Sequence, residues 1–491
     1  MSVNFGKTFI VGFEGEELSP ETAAKLQELD PAGVILFDTN LKDSEKVKNL
    51  TASLKTLLGK DLFVTVDQEG GKVQRLRNVS YELPSLMSIG LTSRKMTNEN
   101  SFLFSREVLI HYAQALAFQL KDLGFNFVYG PCADLNLEKM NPIIGSRSLG
   151  EDYRIVSEQL KVIIEELKRN SIITCAKHFP GHGDSKKDSH VELPVVSRTL
   201  TSELINLKPF IAAIEADTDA IMMAHLILEI EQNSQLESIY IDESDISKEE
   251  LKTLQILENP IKVAASINKE LISKELIYLL GFKGLVVSDE ITMKALTEYG
   301  NYTELSKKLL EAGNNLVIWN SNLDDALNSA QKLNSLPQEG HEELYKALEK
   351  SIEKIEQCKA KMSSSKLEYE YKEDYFVDLI KSSFETESKA DFKKPDYVFV
   401  NFHPKLEMDK IEAVFNVPVK LLENGHENYD NQNILAILFQ ASIDELYILE
   451  QLKNNNRVFQ VSTDTHDPGS HMNINGAGKL HYQALAKFLS R

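Results

Sequence analysis

The sequence predicts an α/β protein: a (β/α)8 TIM-like barrel followed by a small C-terminal α/β domain. Three observations carry that prediction. Short, β-branched apolar runs alternate with stretches whose apolar residues recur at helical spacing, as happens when parallel strands are covered on both faces by helices. Eight such runs occur before residue 320, which fits a closed barrel better than an open sheet. Polar residues able to do chemistry stand immediately after five of these runs, where a barrel gathers its loops on one face.

In chain order the runs are Thr8 to Phe13, Gly33 to Phe37, Leu62 to Val66, Phe125 to Tyr129, Ile172 to Ala176, Ala220 to Met223, Gly284 to Ser288 and Leu316 to Trp319. The helix after the first run has a legible start, with Ser19 as N-cap and Pro20 at the first helical position. A long charged helix is expected from His341 to Lys361, followed by a mixed stretch without a clear period to about Lys394. The domain boundary belongs there: 1–362 as the barrel, 363–394 as a linker and 395–491 as an accessory unit. In that unit Tyr397 to Val400, Ile434 to Phe439 and Val458 to Ser462 read as strands. Ser442 and Glu445 form a capping-box start to a helix.

Composition narrows the partners. The 54 basic residues stand against 74 acidic ones, a net charge of −20 that repels nucleic acid and anionic membranes and leaves a small neutral substrate easier to accept. Cys132, Cys175 and Cys358 are odd in number and lack CxxC spacing, so neither a disulfide framework nor a zinc site is indicated. Met1 to Phe13 has no long apolar core of a signal peptide, and no run approaches the ~18 apolar residues of a membrane span. A cytoplasmic protein is expected.

The residues that follow the runs are Asp67, the pair Lys177 and His178, His225, Asp289 and Asn320. Any one of them is ordinarily just a polar residue ending a strand. Together, at strand C-termini that open onto one face, they outline a pocket. The segment KHFPGHGDSKKDSH, Lys177 to His190, is dense in glycine, histidine and aspartate; Gly181 and Gly183 allow a tight loop over a ligand. His178, His182, Asp184, Asp188 and His190 are all possible metal ligands, yet no zinc spacing such as HExxH occurs.

That loop, together with DQEGGKVQRL at Asp67 to Leu76 and GLVVSDE at Gly284 to Glu290, resembles glycoside hydrolase family 3, in its β-N-acetylglucosaminidase branch. TFIVGFEG, GVILFDTN, NPIIGSRSLGED and MMAH are further similar blocks, in the family's order, across about the first 330 residues. VAASI at Val263 to Ile267 departs from the branch's proline-containing segment.

The resemblance implies a retaining, exo-acting enzyme on peptidoglycan-derived sugars, with no metal or cofactor and with a homodimer as one possible assembly. It implies Asp289 as the nucleophile that forms a glycosyl-enzyme. Strand alternation leaves its neighbour Glu290 facing elsewhere. It implies His190 as acid/base, since an imidazole titrates near neutrality, with Asp188 orienting the ring. Sugar contacts fall to Asp67, Arg75, Arg147, Lys177 and His178, with Asp134 and His225 as supports behind them and Arg147 pairing in part with Asp152. From the residues alone, Arg75 and Arg147 read equally well as salt bridges across loops. Two other readings stand beside hydrolysis. A histidine in place of a carboxylate acid/base admits phosphate as acceptor, hence a phosphorylase. An inactivated, sugar-binding barrel is the second.

Overall fold

A computed structural model of the chain describes residues 3–95, 105–138, 141–185, 192–231, 263–320, 322–362, 367 and 369–383, six short strands beyond them, Gln483 and Leu485. The eight expected strands form. They are β1 (Phe9–Val11), β2 (Gly33–Ile35), β3 (Phe63–Val66), β4 (Phe127–Val128), β5 (Ile173–Phe179), β6 (Ala220–Met223), β7 (Leu285–Glu290) and β8 (Leu316–Trp319). All neighbours pair in parallel, and β8 returns to β1 to close the barrel.

Strand alternation divides the core in two. Ile10, Ile35, Phe63, Phe127, Cys175 and Val287 fill the barrel, while Val11, Val34, Val64, Val128, Val286 and Val317 pack outward under the helices. Trp319 belongs to the outer layer, between Phe9 at 5.3 Å and Tyr302 at 5.7 Å, so it is a core residue rather than a platform for sugar.

Local capping places the covering helices. Ser19 accepts from the Thr22 amide at the start of Pro20–Leu29, and Asn301 with Glu304 forms a reciprocal capping box on Tyr302–Ala312. The helix Glu342–Lys359 seals the barrel's lower end: Ile355 and Cys358 join the interior cluster, and Lys354 Nζ donates to the Gly284 carbonyl at the foot of β7. Among the described residues, the end at the strand C-termini holds the cavity.

Within the stretch expected as a linker, Glu373–Ser383 forms a helix that buries Phe376, Val377 and Ile380. Just before it Tyr371 stacks on Tyr81 at 3.8 Å, and its hydroxyl donates to the Glu82 carbonyl, which ties this segment to the barrel's flank. Six further strands form a sheet in the order Glu385–Thr386, Met472–Asn473, Arg457–Ser462, Asn433–Leu438, Tyr397–Val400 and Val419–Leu421. The helix expected at Ser442 lies outside the described residues, as do His403, His426, His466 and His471. Among the described residues no helix is long and apolar enough to cross a membrane.

The π-type helix Leu271–Leu279 carries a residue that packing does not explain. Glu275 is fully buried, and neither carboxyl oxygen has a hydrogen-bond partner among the described residues. Burial first, and nearby Glu203 second, push its carboxyl well above the usual range. The folded protein therefore keeps a proton that the unfolded chain releases at an ordinary carboxylate pKa. The associated stability is present at low pH and declines as pH rises toward the folded value. We predict that Glu275→Gln leaves stability almost unchanged at pH 4 and raises it by about 1–3 kcal/mol at pH 8. Urea denaturation at both values checks this; an equal effect at the two pH values contradicts it.

Candidate active site

The open end of the barrel holds a cavity of about 560 Å³, within the ~300–1,000 Å³ common for small-molecule sites. Asp67, Arg75, Arg147, Lys177, His178 and Asp289 all border it. Asp188 and His190 lie outside the described residues, as do Lys186 and Lys187. A second cleft of about 500 Å³, beside Tyr299, Lys308 and His341, contains none of the expected residues.

Two bulges shape the cavity wall. Between β5 and β6 the register passes from Ala176↔Ile221 to Phe179↔Met223, so β5 contains one residue more than its neighbour across this interval. Between β7 and β8 it passes from Val287↔Leu316 to Glu290↔Ile318, with the same excess. A bulge breaks strict alternation and re-aims side chains. Consecutive residues accordingly reach one cavity, Lys177 with His178 and Asp289 with Glu290. This corrects the expectation that Glu290 faces elsewhere.

Glu290 nevertheless differs from its neighbour. Its Oε1 accepts from the Thr292 amide at 3.0 Å, the Thr292 hydroxyl at 2.6 Å and the Asn320 amide at 3.2 Å, which binds it to the rim of β8. Burial raises its pKa against those bonds. Asp289 Oδ1 accepts from the Glu290 amide at 2.8 Å. Behind them, His225 bridges Ser266 Oγ at 2.8 Å and the Glu290 carbonyl at 3.1 Å, and burial lowers its pKa, so a neutral ring supports this strand end.

Below the cavity lies a buried ionic cluster centred on Glu69, which the sequence reading did not single out. Arg147 grips its carboxylate with Nε and Nη2, each at 2.9 Å, and Lys177 Nζ lies 2.6 Å from Oε1 and 2.8 Å from Asp67 Oδ1. Burial alone would push Glu69 up, but Arg147 and Lys177 outweigh it and bring its carboxyl to about 2. Burial disfavours the charged form of Lys177 too, and Asp67 and Glu69 overcome it and raise its pKa. Arg147 thus pairs with Glu69 rather than Asp152, because Asp152 is occupied capping the helix Tyr153–Arg169 and holding Arg154. Glu69 is recoverable from sequence: in extended chain, residues two apart share a face, and Asp67 stands at a strand end that opens on the pocket. Arg75 is more open, 3.7 Å from Asp38 and over the Phe37 ring at 5.9 Å.

His178 is oriented from behind. Asp134 Oδ2 accepts from the His178 amide at 3.1 Å and lies 2.7 Å from Nδ1, which leaves Nε2 on the Arg147 side at 3.4 Å. Asp134 Oδ1 accepts from the His182 amide at 2.6 Å. Burial opposes ionisation of Asp134, but His178 and His182 hold it below the usual carboxylate range. Burial, then the neighbouring His178, bring His182 down to about 4, so its ring is neutral near pH 7. Cys132, Asp134 and His178 place donor atoms within 4.8 Å of one another. Burial pushes the Cys132 thiol well above its usual range, and its Sγ lies 3.3 Å from Asp134 Oδ2.

The loop that leaves β5 is tightly laid. Gly181 has φ +111°, and a Cβ on Gly183 would stand 1.6 Å from the Leu135 carbonyl oxygen. No side chain fits that approach.

Glu69 gives a direct test of the cluster. Glu69→Gln leaves two buried cations short of a counter-charge and should lower the unfolding free energy by about 3 kcal/mol at pH 7. Because the folded carboxyl is depressed to about 2, its contribution is complete above the ordinary carboxylate range and fades as pH falls toward that value. The gap between wild type and variant, measured by urea denaturation, should therefore narrow at acid pH; a pH-independent gap contradicts the ionic origin.

Comparison with known proteins agrees with this architecture. A beta-hexosaminidase of Haemophilus influenzae is 31% identical over 314 residues, covering 63% of this chain and 79% of its own length. A beta-hexosaminidase of Nitrosomonas eutropha is 30% identical over 295 residues, covering 60% and 75%. Among solved structures, a glycoside hydrolase family 3 beta-N-acetylglucosaminidase from Paenibacillus sp. shares the fold with a TM-score of 0.77 at 21% identity, over 99% of this chain and 95% of that one. NagZ from Neisseria gonorrhoeae shares it with a TM-score of 0.54 at 24% identity, over 74% and 99%. Residues 6–358 match the glycosyl hydrolase family 3 N-terminal domain, a span that takes in all eight barrel strands and every described residue of the site. The chain belongs to glycosyl hydrolase family 3 and is a glycoside hydrolase.

Proposed function

We propose that the enzyme is a retaining exo-β-N-acetylglucosaminidase that acts in the cytoplasm on peptidoglycan-derived fragments, with residues 1–362 as catalytic unit and 395–491 as accessory unit. The names of its beta-hexosaminidase relatives support the sugar class. The observation that carries the chemistry is that Asp289 borders the same cavity as Asp67, Arg75, Arg147, Lys177 and His178.

In this reading Asp289 attacks the anomeric carbon, the bond to the leaving oxygen breaks, and His190 supplies that oxygen with a proton. His190 then takes a proton from water as it attacks the glycosyl-aspartate, and Asp289 leaves as carboxylate. Asp188 orients the imidazole and favours its cationic form. Glu290 is the less suitable nucleophile, because three donors already engage one of its oxygens and burial favours its neutral form. Asp67, Lys177, His178, Arg147 and Arg75 offer directional hydrogen bonds to sugar hydroxyls and the acetamido group, and an analogue lacking those groups leaves buried charges unmatched.

Asp289→Asn should lower kcat on an aryl β-N-acetylglucosaminide by roughly 10⁴-fold or more, with the melting temperature retained. Near-wild-type turnover rejects the nucleophile assignment. Products formed in phosphate buffer decide the acceptor: free sugar is expected, and accumulation of sugar 1-phosphate would replace hydrolysis by phosphorolysis.

A further inference from the structure

Arg198 ends the short strand Val195–Arg198, VVSR, in which positions alternate between exposed and buried: Val195 is 53% exposed and Arg198 only 1%. A guanidinium buried to that degree is costly unless every donor is matched. Here each is. Nε donates to Asp184 Oδ2 at 2.7 Å; Nη1 donates to the Pro180 carbonyl at 3.1 Å and to Glu203 Oε2 at 2.7 Å; Nη2 donates to the Gly181 carbonyl at 2.8 Å and to Asp184 Oδ1 at 2.7 Å.

The distribution of these bonds is informative. Four of the five go to residues 180–184, the arm of the loop that leaves β5; one goes to Glu203, in the first turn of the helix Leu200–Glu215. Arg198 itself lies on the arm that returns. That arm is pinned by parallel pairing with Ile227–Ile230, the strand that follows β6, with Val195↔Ile227 and Arg198↔Ile230 in register. A single guanidinium therefore joins the outgoing arm, the returning arm and the next helix. Asp188 and His190 lie in the sequence between Ser185 and Glu192, so both ends of the segment that carries them are referred to this one ion.

We propose that Arg198 is a positioning residue for the acid/base step, acting by fixing the two anchor points between which Asp188 and His190 are carried. This rests on the acid/base reading of His190 given above. Loss of one partner from a buried ionic cluster destabilises the fold, an effect that falls on every substrate alike. Displacing a proton donor by an ångström, by contrast, loses on the order of 10² in rate.

The test pairs a substrate bearing an activated leaving group with one bearing a poor leaving group. His190→Ala is measured first and should depress kcat/KM much more on the poor leaving group, because the activated one needs little protonation. Arg198→Met should reproduce that signature, with a loss of about 10²-fold on the poor leaving group and under about 10-fold on the activated one. Arg198→Lys keeps the charge but not the planar fork, and should fall between Met and wild type. In the His190→Ala background, Arg198→Met should add nothing further. Should Arg198→Met fail to fold, Asp184→Asn, which weakens the bidentate contact from its partly exposed side, is read on the same two substrates. Equal losses on both leaving groups, or a full additional loss in the His190→Ala background, overturn the positioning role while leaving the acid/base reading intact. If His190→Ala itself shows no dependence on leaving group, the acid/base reading fails, and the role of Arg198 fails with it.

Discussion

The carboxylate of Glu69 is the point on which the open end of the barrel depends. It comes from the hairpin strand Gln68–Gly70 just beyond β3, Arg147 comes from the loop after β4, and Lys177 comes from β5. Each of the three would be expensive to bury by itself. Together they neutralise most of one another's cost, so three distant stretches of chain are compelled to meet. The same ion pairs fix Lys177 and Arg147 where they border the cavity, and Asp134 fixes His178 beside them. A site for an uncharged sugar needs this combination: strong, directed donors whose charge is already balanced within the protein.

Around that cluster the barrel supplies direction. Its interior is packed with apolar side chains, and Ile355 and Cys358 stop its lower end, so the groups able to act on a ligand are gathered at the other. The bulges in β5 and β7 then place adjacent residues on one wall, where unbroken strands would send every second one away. That crowding gives two neighbouring carboxylates different surroundings. Both border the cavity, Glu290 drawn into bonds with Thr292 and Asn320 and Asp289 accepting from the amide of Glu290. Beyond β5, Arg198 ties residues 180–184 to the strand Val195–Arg198 and the helix Leu200–Glu215 by the same principle that organises Glu69, a buried ion whose own polar groups are matched.

Much of this was legible in the sequence, because strands buried on both faces leave runs such as LFVTV and LVVS that little else produces. The strand-end rule then named six residues or neighbours of the cavity without any distance in hand. What escaped was governed by interactions between parts remote in sequence. Arg147 beside Asp152 invites a local pair, and only the fold reveals that Asp152 is committed to a helix start. Glu290 escaped because a bulge leaves no local mark on composition. Glu69 and Arg198 were readable in principle, since one lies two residues from Asp67 and the other ends an alternating strand at a buried position. The helix Glu373–Ser383 left a signal too, in the spacing of Phe376, Val377 and Ile380, too short to stand out from the mixed stretch around it.

In the proposed reaction one carboxylate, at the end of β7, becomes covalently bonded to the sugar. Acid-quenching the His190→Ala enzyme during turnover of an activated aryl β-N-acetylglucosaminide, followed by proteolysis and mass spectrometry, addresses it directly, since slow deglycosylation lets the intermediate accumulate. The expected product is a peptide spanning Asp289 that is heavier by one N-acetylhexosamine residue, with fragmentation placing the sugar on Asp289. An adduct on Glu290, or rapid turnover of both steps with no adduct on any carboxylate, would contradict it.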